Sequence, residues 1–490
     1  MNRQIYNPIF PLDTYIPDGE PHVFDDRVYL YGSRDAEGGD RYCPLDYECW
    51  SAPVDDLTNW RNEGIIYKAE QCPHNDDGKQ DMYAPDCVQG IDGRYYLYYC
   101  LGNFKNVISV AVCDTPAGKY EYYGDVQYPD SRPMQRYIPG DPGVLNDNGR
   151  IYLVYGWGLG HDLSQLSEER RNEVYWMLFK KSPEEIKAEE PLTLLGAQCV
   201  ELETDMLTVK HEPVRILDAL TTAPKDSALY QHSFYEASSL RKFGDLYYFI
   251  YSSHAGHELC YATSKYPDKD FQFRGVLISN GDVGYQGRKP EDRLATTGTN
   301  HGSIECIKGE YYIFYHRNTH GTLYSRQACA EKITLLSDGS FEQVEMTSQG
   351  LNSNPLKPIG TYPAPLCCNL THGRMQHITG APHQEVYSVP NINHQGDDRF
   401  VKDIEDGTLI GYKYFIFSGS HRISVMVRGE GQGELAVMTE PCKPLAVFPI
   451  QPSTTWTKSE VITFNADGAV PLYFVYTGTG KLNFLQFTFH

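Results

Sequence analysis

Cys87-Val88-Gln89-Gly90-Ile91-Asp92-Gly93-Arg94-Tyr95-Tyr96-Leu97-Tyr98-Tyr99 is the stretch that decides the fold. A short apolar run leads into Asp-Gly, and a tyrosine-rich run follows. Asp-Gly readily takes the positive φ of a tight hairpin turn, so the segment predicts two antiparallel strands. The same shape recurs at His22–Tyr31, Gly143–Tyr155, Ser239–Tyr251 and Ser303–Tyr315. Their turns are Asp25-Asp26-Arg27, Asn148-Gly149-Arg150, Phe243-Gly244-Asp245 and Lys308-Gly309-Glu310. The matching tyrosines are Tyr29, Tyr96, Tyr152, Tyr247 and Tyr312. Repeats this far apart suit four-stranded units with long connections. An all-β chain is therefore expected, with a five-bladed β-propeller over residues 1–350.

Outward from these repeats the texture changes twice. Ser164 to Ile186 is charged and helix-compatible, and predicts an excursion from the β scaffold. After Asn354, Pro355-Leu356-Lys357-Pro358 and Tyr362-Pro363-Ala364-Pro365 predict a linker over 351–382. Residues 383–490 then read as a β-sandwich of jelly-roll type, with strands at Gly411–Phe417, Arg422–Gly429, Glu434–Met438, Leu445–Pro449 and Leu472–Thr477.

Composition narrows the function. The net charge of -21 argues against nucleic acid or an anionic membrane surface as partner. No apolar run of about 18 residues is present to span a bilayer. Thirteen scattered cysteines form neither a tidy disulfide framework nor paired CxxC sets. Met1 to Tyr6 lacks the apolar core of a signal peptide, so a cytoplasmic protein is expected.

Counting back from each anchor tyrosine gives one ionisable residue per repeat. Asp18, Asp141, Glu236 and His301 each lie eleven residues ahead of their tyrosine, and Asp86 lies ten ahead. Each one alone reads equally well as a turn cap. As a set, the first strands of propeller blades would bring them to one axis. Crowded carboxylates repel and drive their pKa values apart, which acid–base chemistry on a neutral substrate requires. Two carboxylates flanking an acetal oxygen make a glycosidase.

At these residues the sequence resembles glycoside hydrolase family 43. Ile16-Pro17-Asp18-Gly19-Glu20-Pro21 is similar to the segment bearing that family's general base, which implies Asp18. Gly140-Asp141-Pro142-Gly143 resembles the segment of the pKa-modulating aspartate, implying Asp141. Phe234-Tyr235-Glu236-Ala237-Ser238 resembles the segment of the general acid, implying Glu236, although Ala237-Ser238 replaces the frequent Gly-Pro. Tyr83-Ala84-Pro85-Asp86 resembles a segment whose aspartate contacts the sugar or orients neighbours, which implies a binding role for Asp86, and Tyr83 is a candidate stacking ring. Asn300-His301-Gly302-Ser303 resembles a segment whose histidine sits beneath the site near water or a bound calcium, which implies His301 as a substrate-side residue and a calcium ligand. The residue itself leaves open a hydrogen-bonded imidazole without metal. Ser325-Arg326-Gln327 implies that Arg326 reaches the sugar, with Arg317 as competitor. Trp157 is a candidate stacking platform or a core residue.

The resemblance implies an exo-acting, inverting hydrolase with no cofactor in the chemistry. It implies Asp18 and Glu236 separated by ~6.5–9.5 Å. The implied substrates are oligosaccharides ending in α-L-arabinofuranosyl or β-D-xylosyl units. A mainly β-xylosidase activity and a non-catalytic sugar-binding propeller are the alternatives. Residues 383–490 resemble carbohydrate-binding module family 6, with Trp456 and Asn483 as the glycan candidates. A structural role for this module is the favoured expectation.

Overall fold

The computed structural model describes residues 4–490 except 103–106, 136–137, 160–165, 180–183, 186–194, 380–387 and 441. Its strands form antiparallel sheets throughout, as the hairpin signals predict. The first sheet runs β1 (Glu20–Phe24), β2 (Arg27–Tyr31), β3 (Tyr47–Pro53) and β4 (Arg61–Tyr67). The second runs β5 (Asp86–Gln89), β6 (Tyr95–Tyr99), β7 (Ser109–Cys113) and β8 (Glu121–Asp125). The third holds β9 (Gly143–Asp147), β10 (Arg150–Trp157), β11 (Gly196–Leu202) and β12 (Val214–Leu217). The fourth holds β13 (Phe234–Phe243), β14 (Leu246–Ser253), β15 (Glu258–Ser264) and β16 (Gln272–Ser279). The fifth holds β17 (Ile304–Ile307), β18 (Glu310–Asn318) and β19 (Arg326–Ile333).

The five hairpins read from sequence are thus β1–β2, β5–β6, β9–β10, β13–β14 and β17–β18. The turns obey their chemistry: Gly93, Gly149, Gly244 and Gly309 all take positive φ. The first strands approach one another. β1 touches β5 and β17, and β9 touches β5 and β13. Between sheets, apolar faces interlock. Tyr31, Tyr47, Tyr67 and Tyr99 pack with Leu97 and Cys87 between the first and second sheets. Many tyrosines are therefore core, and Tyr98, for example, donates its hydroxyl to the Met206 carbonyl at 2.6 Å.

The charged excursion holds α1 (Glu168–Phe179). Residues 160–165, 180–183 and 186, at its two ends, lie outside the described residues. No helix among the described residues is long and apolar enough to cross a membrane.

The C-terminal residues build two packed sheets. One has β22 (Asn391–Gln395), β23 (Asp398–Ile404), β25 (Ser420–Gly429), β28 (Ser453–Lys458), β29 (Ile462–Asn465) and β31 (Leu482–Phe489). The other has β24 (Leu409–Phe417), β26 (Gln432–Met438), β27 (Pro444–Ile450) and β30 (Gly468–Thr479). Their inner faces share one core that includes Phe415, Phe474, Phe484 and Phe487. The expected linker is not a free connection. It supplies β20 (Gly360–Pro363), which pairs with β31, and β21 (Asn369–Thr371), which pairs with β24. Pro363 at the end of β20 disguised it, since proline is tolerated where no ladder N–H is needed, and β21 is only three residues long. The expected boundary at 382/383 lies outside the described residues.

Candidate active site

Alternation along β1 and its lead-in sets the first column of the site. Glu20 and His22 are spaced by two along β1, so their side chains share one face, and Asp18, two residues ahead of the strand, faces His301 together with Glu20. His301, Ser303 and Glu305 repeat that spacing at the start of the fifth sheet. In the fourth sheet, register shifts on both sides of Glu236 let Glu236, Ser239 and Arg241 turn to the same space. The repeat position is thus kept, but Asp86 and Glu236 lie inside strands rather than ahead of them.

Asp18 and Asp141 sit at positive φ, 58° and 43°, a conformation that Asp tolerates better than most residues. Both are buried. Asp18 Oδ1 accepts from Arg326 Nη1 at 2.8 Å and lies 3.5 Å from His316 Nδ1. Asp141 Oδ2 accepts from the Ala237 amide at 3.0 Å, directly after Glu236. Ala237 has φ of 66°, so the departure from Gly-Pro keeps a left-handed backbone and leaves this amide aimed at Asp141. His301 Nδ1 stands 3.7 Å from both Asp18 Oδ1 and Asp141 Oδ2.

This geometry separates the three carboxyls electrically. Burial would raise Asp18, but Arg326, His301 and His316 outweigh it and hold Asp18 at about 2. Burial and the neighbouring Asp141 push Glu236 up to about 8. Burial likewise raises Asp141, against the pull of His301. His301 would be lowered by burial, yet Glu20, Asp141 and Asp18 lift it to about 9. At neutral pH the site therefore holds an ionised Asp18, a protonated Glu236 and an imidazolium.

Arg326 is buried and forked on Asp35, with Nε and Nη2 at 2.8 and 3.0 Å from its two oxygens. Nη2 also meets Cys43 Sγ at 3.1 Å, and Cys43 Sγ is 3.8 Å from Asp18 Oδ2. The guanidinium lies over the Tyr42 ring at 4.9 Å. Sequence reading missed Asp35, Cys43, Glu20 and Arg241; the alternation 18/20/22 was the signal for Glu20. Arg317, the competing arginine, points elsewhere and donates to the Cys367 and Pro365 carbonyls at 2.6 and 2.5 Å.

Tyr83 feels the charge of Asp141, and Trp157 meets Tyr235 at 5.5 Å between ring centroids. Tyr235 is the residue before Glu236, and Tyr42 lies under the guanidinium that holds Asp18. Asp86 departs from expectation. It is fully buried, and its oxygens accept from His22 Nε2 at 2.5 Å and from the Cys87 and Val144 amides at 2.7 Å each. Those bonds tie the first three sheets together and leave Asp86 no reach to a sugar.

The calcium expected near His301 also meets the wrong chemistry. Calcium takes about six to eight oxygen ligands. Beneath His301, Glu20 Oε2 and the carbonyls of Pro21, Leu240 and Ile304 all accept from the buried Arg241 guanidinium. Glu20, His22 and Asp86 lie close enough together to hold a metal ion, but His22 Nε2 and two backbone amides already occupy Asp86, and Arg241 occupies Glu20 Oε2, so the oxygens that calcium would need are taken.

The sequence profile of glycosyl hydrolases family 43 matches residues 5–191. A xylosidase/arabinosidase of Thermoclostridium stercorarium is 43% identical over 502 residues, covering 100% of this chain and 99% of that one. The chain belongs to glycosyl hydrolases family 43. It is a glycosidase. Two solved family 43 structures share its fold. An arabinoxylan arabinofuranohydrolase from Bacillus subtilis in complex with cellotetraose is 22% identical, covers 99% of this chain and 97% of its own, and superposes with a TM-score of 0.50. A Xanthomonas citri enzyme complexed with xylose is 23% identical, covers 72% and 96%, and has a TM-score of 0.53.

Proposed function

We propose that this family 43 enzyme is an exo-acting, inverting hydrolase of terminal α-L-arabinofuranosyl and β-D-xylosyl residues on hemicellulose-derived oligosaccharides. The observation that carries the reading is the opposed protonation of Asp18 and Glu236 in one buried cluster. Glu236, still protonated near neutrality, donates its proton to the glycosidic oxygen as the bond to the anomeric carbon breaks. Asp18, ionised, takes a proton from the water that attacks the opposite face. Asp141 keeps Glu236 protonated by repulsion and holds the Ala237 amide. Arg326 keeps Asp18 ionised and has an Nη1 hydrogen left for a sugar hydroxyl. Tyr83 and Trp157 border the sugar.

The first five sheets are read as five propeller blades. The approaches among β1, β5, β9, β13 and β17 support this. The two C-terminal sheets are read as a sandwich module whose role is structural. Trp456 supports that role. Arg428 covers one face of its ring at 4.1 Å, and its Nε1 donates to Asp398 at 2.7 Å. Asn483 Oδ1 accepts from the Asp403 amide. A cytoplasmic location, with short imported oligosaccharides as substrates, completes the proposal.

A xylosidase-dominant activity is the second reading, since the T. stercorarium relative's name carries both activities. Release of p-nitrophenol from the arabinofuranoside and the xyloside tests both. Equal release by wild type and Glu236→Ala would sink the catalytic assignment; the ratio of the two rates ranks the sugars.

A further inference from the structure

We propose that Arg241 is the resident cation of the space beneath His301, where a metal was expected, and that it positions His301 through Glu20. The inference rests on reading Asp18, Asp141 and Glu236 as the catalytic group.

Arg241 is only 4% exposed. A guanidinium in that position is costly unless its donors are matched. Here Nη2 donates to Glu20 Oε2 at 2.6 Å and to the Pro21 carbonyl at 3.2 Å. Nη1 and Nε reach the Leu240 and Ile304 carbonyls, each at 3.2 Å. The acceptors come from the first, fourth and fifth sheets, so one side chain ties three sheets at their meeting point. Ser239 Oγ adds a bond to Glu20 Oε2 at 2.9 Å and touches Ser303 Oγ at 2.7 Å.

These bonds fix one oxygen of Glu20 and aim the other. Glu20 Oε1 is buried, has no hydrogen-bond partner, and lies 3.8 Å from His301 Nε2. On its other side His301 Nδ1 is equidistant from Asp18 and Asp141. The imidazolium is therefore bracketed by three carboxylates, one of them held by Arg241. A divalent ion added here would face the Arg241 guanidinium and the His301 ring, and Glu20 would have only Oε1 left to offer it. An arginine supplies charge through the covalent chain, so the arrangement needs no ion from solution.

The test begins with wild type dialysed against a chelator. Elemental analysis is expected to find no stoichiometric calcium before or after dialysis. Neither Tm nor kcat is expected to change on adding calcium. Arg241→Met is expected to lower kcat on the order of 100-fold through misplacement of His301, with little change in KM. In that variant added calcium raises Tm and returns part of kcat, while Arg241→Lys keeps intermediate activity. Stoichiometric calcium in wild type, or a lower Tm after chelation, overturns the proposal. So does a folded Arg241→Met with wild-type kcat. If Arg241→Met fails to fold, Glu20→Gln must still lower kcat, and a wild-type rate there also overturns it. Metal content and Tm do not depend on turnover, so they separate this proposal from the catalytic assignment.

Discussion

Arg326 Nη1 donates to Asp18 Oδ1 at 2.8 Å, while the other edge of the same guanidinium is forked on Asp35. The arginine thus serves the base with one end and is anchored by the other. Asp35→Ala leaves a buried guanidinium half-paired. It is expected to cost ~3–5 kcal/mol of stability, read from urea unfolding, because breaking a buried pair exposes the uncompensated charge. A loss below ~1 kcal/mol would remove Asp35 from the anchor role.

The pH–rate profile follows from the two carboxyls. Asp18 is ionised above about 2, and Glu236 loses its proton through about 8. Activity is expected to hold through neutrality and fall as pH rises through about 8. Asp141→Asn removes a repelling charge, so the alkaline limb moves to lower pH. An unmoved limb would show that Asp141 does not tune Glu236.

Replacing either partner of the displacement should remove general acid–base catalysis. Glu236→Ala and Asp18→Ala are each expected to lower kcat by ~10²–10⁴-fold. Proton NMR of the first product formed should show the inverted anomer. Retention would reassign Asp18 as a nucleophile.

Stability should fall between neutral and alkaline pH. Folding raises His301 from 6.5 to about 9, so its contribution is complete below about 6.5 and is lost as pH rises through about 9. Folding raises Glu236 from 4.5 to about 8, so the folded state loses stability as pH rises from 4.5 to about 8. His301→Gln should flatten the dependence above about 6.5, as measured by denaturant midpoints across pH.

The hairpins, their turns and the carboxylate register were legible because Asp-Gly turns and period-two alternation are local signals. The roles of Asp86 and Arg317 were not. Each is decided by acceptors or donors far away in sequence, such as the Val144 amide for Asp86 and the Cys367 carbonyl for Arg317. Arg241 was hidden for a different reason. The bulges after Glu236 break the simple alternation, so counting by twos from the acid misses it. The proline-rich stretch before the C-terminal sheets suggested a linker because β20 and β21 are too short to announce themselves.

The C-terminal sheets hold two loops beside the site. Arg399 of β23 holds Glu37 at 2.7 and 3.1 Å, and His394 of β22 meets His320 at 2.9 Å. Glu37 belongs to the loop that presents Asp35, Tyr42 and Cys43 to Arg326. A chain cut after the fifth sheet therefore loses a brace on its own catalytic arginine, and replacing these sheets with an unrelated domain changes the enzyme's chemistry as well as its shape.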